Sequence, residues 1–307
     1  MNAINVEFPP FGSLYHYTTQ TGLLGIITSK QIWATNILYL NDSAELNYSI
    51  HLAQEDAKKF WLSLIPEEKE FLSHFLENLN IARYLYGQRG ADIFVCSFSA
   101  KQNDLSQWRG YSFGENGFNI GFDFNSPLRG IVEKQGFDLV KCVYEPEVQS
   151  EIVRKFLTDM LDRFRVEKTS TGASQYFEQD LLHQFYTAFL RMAPKFKHPS
   201  FCDENEWRLV SSPMDKITLT RFRKGKSMLV PYVEIKLVEN VDTDLLSWIP
   251  EIWIGPTPNQ DLSIKSIENL LIANNVEPHP WGDNKPSQPL VAIPRVRYSG
   301  IPYRVLS

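Results

Sequence analysis

Residues 14–35 read LYHYTTQTGLLGIITSKQIWAT, and this stretch decides the fold class. Residues 13–17 are predicted as a short strand whose side chains alternate between two faces, so that His16 lies opposite Tyr15 and Tyr17. The threonines that follow can cap a helix with an apolar stripe of leucines and isoleucines. Residues 32–35 are predicted as a second strand. The chain therefore begins with a strand, a helix and a strand in immediate succession.

Strands also recur in the middle and at the end of the chain, with helical blocks between them. Further strands are predicted at residues 93–98, 118–124, 139–144, 206–211, 228–238, 251–254 and 290–297. This order favours an α+β fold over a regular alternation of strands and helices. We predict one α+β domain over residues 1–307, with helical insertions near 43–87 and 147–193.

The composition is typical of a globular protein, with 43% hydrophobic and 13% aromatic residues. A net charge of −5 gives no general attraction to nucleic acid or acidic membranes. No apolar run approaches the roughly 20 residues that cross a bilayer, and no signal peptide is recognised. We therefore expect a cytoplasmic protein without a membrane partner. The dense basic cluster RFRKGK at 221–226 is interpreted as a solvated turn between strands, or alternatively as the contact of a nucleic-acid-directed effector.

Common catalytic signatures are absent, including phosphate-binding loops, dinucleotide-binding glycine motifs, nucleophile elbows and zinc-protease helices. The three cysteines form no C-x-x-C pair, so neither a disulfide framework nor a structural zinc site is expected. The remaining candidates are polar residues beside apolar strands. His16 can bind a ligand hydroxyl or act as a general base, or it can be a core histidine bonded to a backbone carbonyl. Ser97 and Ser99 can face a cleft or cap a turn.

The segment QWRGY at 107–111 offers a second group of candidates. Arg109 can hold a phosphate or carboxylate through two hydrogen bonds, with Trp108 or Tyr111 as a stacking surface. Alternatively, Arg109 pairs with a nearby acid while Trp108 fills the core.

Glu204 and Glu206 form a third group, at the start of the predicted strand 206–211. Residues two apart on a strand project to the same face, so the two carboxylates would lie side by side. They repel each other unless they are exposed to solvent, or unless a ligand hydroxyl, a cation or an arginine lies between them.

The chain resembles a bacterial family known as domain of unknown function 2971, which has no assigned activity. The matching segments are LYHYTT at 14–19, YLNDSAEL at 39–46, CSFS at 96–99, LSQWRGYS at 105–112, FNIGFDF at 118–124, FKHPSFCDENEWRLV at 196–210 and IWIGP at 252–256.

The opening stretch is also distantly similar to the first motif of the ADP-ribosyltransferase superfamily. That similarity implies a mixed or antiparallel split β-sheet core with helical insertions, and NAD as the substrate. Glu206 would be the catalytic glutamate, with Glu204 as its companion. The NAD-binding residues would be His16, Tyr17, Thr18, Ser97, Ser99, Arg109 and Tyr111.

Three functions follow from these observations. The first is an ADP-ribosyltransferase-like enzyme that modifies a nucleic acid or a protein, as a toxin or phage-defence effector would. The second is an NAD glycohydrolase that uses the same site with water as the acceptor. The third is a non-catalytic module that binds a ligand or a partner through its polar cluster.

Overall fold

The computed structural model describes residues 12–40, 44–85, 92–111, 116–170, 175–213, 219–225, 227–239, 245–275 and 294–302. The strands in these residues are β1 (Leu14–Thr19), β2 (Gln31–Asn36), β3 (Phe94–Ser99), β4 (Gly117–Phe122), β5 (Phe137–Lys141), β6 (Glu206–Ser211), β7 (Arg221–Lys224), β8 (Leu229–Lys236), β9 (Glu251–Ile254) and β10 (Arg295–Tyr298). The α-helices are α1 (Gln20–Ser29), α2 (Ala44–Phe60), α3 (Pro66–Leu85), α4 (Leu105–Tyr111), α5 (Leu128–Lys134), α6 (Pro146–Ser170), α7 (Gln175–Met192) and α8 (Gln260–Asn275).

The opening stretch folds as the sequence predicts, into β1, α1 and β2. The Oγ1 of Thr19 caps α1 by accepting a hydrogen bond from the backbone N–H of Gly22 at 3.2 Å. Lys30 ends the helix in the left-handed conformation, with φ at 55°, and its N–H bonds back to the carbonyl of Ile26. This C-cap reverses the chain into β2.

Strand β3 lies at the centre of one mixed sheet. Strand β6 pairs with β3 from Val95 to Ser99 and so occupies one of its two edges. Strand β1 joins β3 only where Tyr15 faces Ser99, whereas β2 joins it at Thr35 and Asn36. Because a strand has only two edges, β1 and β2 share the second edge at opposite ends, and the sheet splits between them.

Strand β5 pairs with the free edge of β6, and the two arms of the split sheet carry the other strands. One arm runs from β1 through β4 and β9 to β10, and the other runs from β2 through β8 to β7. Strands β9 and β10 are parallel, and the other strand pairs among the described residues are antiparallel. This mixed sheet with its helices confirms the predicted α+β class.

Helices cover the sheet on both faces, and each layer closes its own apolar core. On one face, α1, α5 and α8 pack on the sheet through residues such as Ile26, Val132 and Leu271. On the other face, α2, α3, α6 and α7 form the second layer, with Val95 and Val210 as sheet residues of that core. These four helices occupy the predicted insertions near 43–87 and 147–193. None of the helices in the described residues is both long and apolar enough to cross a membrane.

The structure corrects two local predictions and adds one helix. Arg221–Lys224 is not a solvated turn but strand β7. The periodicity of the sequence does not reveal that this strand pairs with β8. Helix α5 was not predicted. Strand β5 begins two residues before the predicted 139–144 strand and ends at Lys141. Residues 290–293 and Lys226 lie outside the described part of the chain.

Candidate functional site

Strands β1, β3 and β6 present polar side chains on one face of the sheet, close to the split. Tyr15 is in register with Ser99, and Ser99 is in register with Glu206, so these three residues share that face. Ser97 and Tyr17, two residues further along their strands, share it as well. The helix α4 lies beside β1 and β4 and adds its own side chains.

A small cavity lies among these side chains, with a volume of about 10 Å³. This is roughly the space of a single water molecule. Tyr15, Phe98 and Gln107 line the cavity without having been predicted as site residues. The predicted site residues that line it are Tyr17, Ser97, Ser99, Tyr111, Glu204 and Glu206.

His16 lies outside that lining, on the opposite face of β1. Its Nδ1 donates a hydrogen bond to the carbonyl oxygen of Ser97 at 2.9 Å, and its ring lies 5.6 Å from that of Phe98. Ser97 lies between the positions where β1 and β2 join β3, so the imidazole bridges the split. Burial lowers the pKa of His16, against the opposing effect of the hydrogen bond to Ser97. The ring is therefore neutral near pH 7, with its proton on Nδ1.

Thr18 and Arg109 also lie outside the cavity lining. Thr18 is partly buried near the end of β1, and Arg109 is exposed on α4. Thr18 directly follows Tyr17, and Arg109 precedes Tyr111 by two positions, so each is close in sequence to a tyrosine that lines the cavity. Their predicted roles in binding NAD stay predictions.

The two carboxylates are held by a buried ion-pair cluster, which we call the five-charge cluster. Its members are Glu45, Lys197, Glu204, Glu206 and Arg208. The Nζ of Lys197 contacts Oε2 of Glu204 and lies 2.5 Å from Oε2 of Glu206. Of the alternatives left open by the sequence, a cation between the two carboxylates is the one present, and Lys197 supplies it.

Arg208 ties Glu206 to the helical layer. Its Nε donates to Oε1 of Glu206 at 2.8 Å, and its Nη2 donates to Oε2 at 3.0 Å. The same Nη2 donates to Oε1 of Glu45 on α2 at 2.8 Å, while Nη1 donates to the carbonyl of Pro194 at 3.0 Å. The Oε2 of Glu45 is 2.7 Å from Nη1 but lacks hydrogen-bond geometry, so we count this contact as an ion pair only.

Glu45, Lys197 and Arg208 were missed as site residues, although all three lie in the segments that resemble the DUF2971 family. Arg208 lies two residues after Glu206, and strand alternation alone places both side chains on one face. Lys197 and Glu45 carried no comparable signal, because they reach the cluster only through tertiary packing.

Within the five-charge cluster, the pKa values of Glu204 and Glu206 are shifted in opposite directions. Burial by itself raises the pKa of Glu206, but the charges and hydrogen bonds of Arg208 and Lys197 outweigh it and lower the pKa to about 2. Burial raises the pKa of Glu204; Lys197 opposes this rise, and the Glu206 charge adds to it. Adjacent carboxyl groups with opposite pKa shifts are the pattern that assigns acid and base roles in enzyme sites.

The backbone that carries these glutamates is held by further hydrogen bonds. Asn205 adopts the left-handed conformation, with φ at 43°, between the two carboxylates. The Oγ of Ser99 donates to the carbonyl of Glu204 at 2.7 Å, and the N–H of Glu206 donates to the Tyr144 hydroxyl at 2.8 Å. These hydrogen bonds hold the backbone on both sides of Asn205, and Glu204 ends the 3₁₀ helix Pro199–Glu204 instead of lying on a strand with Glu206 as predicted.

The tyrosines of the cavity are also anchored. Tyr15 donates from its hydroxyl to Oε1 of Glu251 at 2.7 Å, and Tyr17 donates to the carbonyl of Lys101 at 2.9 Å. Burial raises the pKa of both hydroxyls. Burial and the Glu206 and Glu204 charges likewise raise the pKa of Tyr111. All three tyrosines are therefore neutral hydrogen-bonding groups near pH 7.

We expect the stability of the protein to fall as the pH drops from about 4.5 to about 2. Because the pKa of Glu206 is lower in the folded protein than its ordinary value of 4.5, the folded state binds fewer protons in this window. The stabilisation is present above pH 4.5 and is lost toward pH 2. Glu204, whose pKa is raised, contributes with the opposite sign.

Urea unfolding at a series of pH values measures this dependence. Glu206→Gln, which removes the carboxylate whose pKa is lowered, should flatten this dependence. An unfolding free energy that stays constant from about pH 4.5 to about pH 2 would contradict the assignment.

Within the described residues, no group of three or more histidine, cysteine, aspartate or glutamate side chains is arranged to hold a metal ion.

Comparison with known families gives one match. A profile of the family described as "Protein of unknown function (DUF2971)" matches residues 107–209, from α4 into β6. This match supports the resemblance to that family, and its span includes Gln107, Tyr111 and the Lys197–Arg208 part of the five-charge cluster. No curated protein and no solved structure matches the chain.

Proposed function

We propose that the protein cleaves NAD in an ADP-ribosyltransferase-like reaction at the cavity between β1, β3, α4 and β6. One observation carries the proposal: four separate segments of the chain bring polar side chains to this one cavity. Six of these side chains are among those to which the superfamily resemblance assigns roles toward NAD. The opposite pKa shifts of Glu204 and Glu206 support it further.

Cleavage of NAD in this proposal requires two carboxyl groups with different roles. The bond between the ribose carbon and nicotinamide breaks, its electron pair leaves with the nicotinamide ring, and positive charge develops on the ribose. Glu206 stays ionised and stabilises this charge, as carboxylates do in glycoside cleavage. The acceptor then bonds to the ribose carbon and gives up a proton. Glu204, whose raised pKa makes it the stronger base, takes that proton.

The remaining residues would bind the dinucleotide. Tyr17 and Tyr111 offer aromatic surfaces beside the carboxylates, and Ser97 and Ser99 offer hydroxyls. His16 would position the ribose end by setting the spacing of β1 and β3. In this proposal the exposed Arg109 serves the phosphate groups, which would extend beyond the cavity.

NAD can enter only if the cavity opens. Ligand sites are commonly about 300–1,000 Å³ in volume, far more than the present cavity offers. Gln107 and Tyr111, both on the short helix α4, line the cavity. Their displacement would open it, so substrate binding in this proposal includes a movement of α4 side chains.

Nicotinamide release from NAD by the purified protein tests the proposal. We expect release by the wild type, and a loss of at least about 100-fold in Glu204→Gln and in Glu206→Gln. Glu45→Gln is the matched control, because Glu45 shares the five-charge cluster but does not line the cavity. It should retain release when circular dichroism shows that it is folded.

Two outcomes would contradict the proposal: no release by the folded wild type with or without cell lysate, or an equal loss in Glu45→Gln. Label transferred from NAD to a nucleic acid or protein indicates a transferase, whereas release without label indicates a glycohydrolase.

A second candidate, a non-catalytic module that binds a small ligand, is favoured by one observation. Glu206 is compensated by Lys197 and Arg208, so the carboxylate presents little free charge to a substrate. Stabilisation of the protein by NAD against heat, without any nicotinamide release, would support this module over the enzyme.

A further inference from the structure

The outer arm of the split sheet carries an aromatic pair on an open face. Trp33 of β2 and Tyr232 of β8 lie with their ring centroids 4.3 Å apart and their planes 30° from parallel. Trp33 remains 46% exposed, although tryptophan is usually well buried. The Trp33 ring therefore covers one side of Tyr232, and the exposed part of the Trp33 ring is an apolar surface that faces solvent.

Basic side chains surround this pair on the same face. The strand register places Trp33 opposite Glu234, Gln31 opposite Lys236 and Arg221 opposite Tyr232. Because side chains alternate along strands, Arg223 also lies on this face, and its Nη2 donates to Oγ1 of Thr35 at 3.3 Å. We call this surface the Trp33 platform, and its members are Trp33, Arg221, Arg223, Tyr232, Glu234 and Lys236.

The charge of the Trp33 platform differs in sign from that of the whole protein. Its three cations, Arg221, Arg223 and Lys236, outnumber its one carboxylate, Glu234, so its net charge is 3 − 1 = +2. The chain as a whole carries −5. A local positive surface on an acidic protein is complementary to a polyanion and not to proteins in general.

We propose that the Trp33 platform binds single-stranded nucleic acid. An exposed ring stacks on any unpaired base, and flanking arginines and lysines hold the backbone phosphates of the strand. Double-stranded nucleic acid keeps its bases stacked inside the duplex, so it cannot use the ring in this way. The platform lies on the arm of β2, β8 and β7 and shares no residue with the cavity lining, and the proposal does not depend on NAD cleavage.

Fluorescence anisotropy of labelled oligonucleotides about 12 nucleotides long tests the proposal. Oligothymidylate, oligouridylate and a duplex DNA of the same length are the three probes. We expect both single strands to bind the wild type and the duplex to bind more weakly. With about three phosphate contacts, affinity should fall roughly 18-fold between 50 and 200 mM salt.

Variants then separate stacking from charge. Trp33→Ala should weaken binding at least about fivefold, and Trp33→Phe should restore most of it. The double variant with Arg221→Gln and Arg223→Gln should reduce the slope of log affinity against log salt by about 1.4. Tyr176→Ala on α7, which removes an aromatic ring that is 75% exposed, and Arg295→Gln on β10 are matched controls that should bind like wild type.

The proposal is wrong if neither single strand binds, if the duplex binds as tightly as the single strands, or if Trp33→Ala binds like wild type. Loss of binding in the Tyr176 or Arg295 control to the same degree would also overturn it, because binding would then reflect charge or apolar surface in general.

Discussion

Replacing Arg208 with methionine is expected to lower the free energy of unfolding by about 3–5 kcal/mol. Arg208 is 1% exposed and bonds to Glu45, Glu206 and the carbonyl of Pro194. Without it, two carboxylates stay buried with Lys197 as their remaining cation. Breaking a buried ion pair from one side costs this much because the charge left behind has no water to solvate it. Urea unfolding measures the loss.

Arg191→Met is the matched control for that substitution. Arg191 pairs with Asp138 at the surface, where both side chains are nearly half exposed, so its loss should cost about 0–1 kcal/mol. If Arg208→Met does not fold, the double variant with Glu45→Gln should recover part of the loss, because one of the unpaired charges is also removed. A cost for Arg208→Met no larger than that of Arg191→Met would mean that the five-charge cluster is not buried as described.

Replacing Trp108 with alanine should also destabilise the protein by about 3–5 kcal/mol. Trp108 is 2% exposed, meets the Tyr17 ring edge-on at 4.8 Å, and donates from Nε1 to Oδ1 of Asn103 at 2.9 Å. Its ring packs so closely on Gly255 that a Cβ there would lie 2.9 Å from Cε3. The empty volume left by the indole cannot be filled by its neighbours without moving β9 or α4.

Urea unfolding of Trp108→Ala, compared with the surface variant Trp33→Ala, tests this expectation. The surface variant removes the same side chain from a half-exposed position and should cost much less. Because α4 presents Gln107 and Tyr111 to the cavity, Trp108→Ala should also change the Michaelis constant for NAD if the proposed function is correct. Equal losses of stability in the two tryptophan variants would show that Trp108 does not anchor α4.

The candidate site could be assembled from the sequence only in part. Strand alternation was enough to separate His16 from Tyr15 and Tyr17, but not to place Glu204, which ends the 3₁₀ helix Pro199–Glu204 instead of lying on a strand with Glu206. The sequence also offered a cation as one of several groups that could lie between the two carboxylates. It could not name Lys197, which precedes Glu206 by nine positions and reaches it through a 3₁₀ turn. Glu45 comes from a helix far away in the chain.

The amino-acid sequence by itself determined the α+β class, the strand, helix and strand at residues 14–36, and the helical blocks that cover the sheet. These features depend on side-chain periodicity and capping residues, which act between neighbours in the chain. Only the tertiary structure decided the split of the sheet at β3, the pairing of β7, and the five-charge cluster that lowers the pKa of Glu206. Each of these depends on contacts between residues distant in sequence, for which local patterns carry no signal.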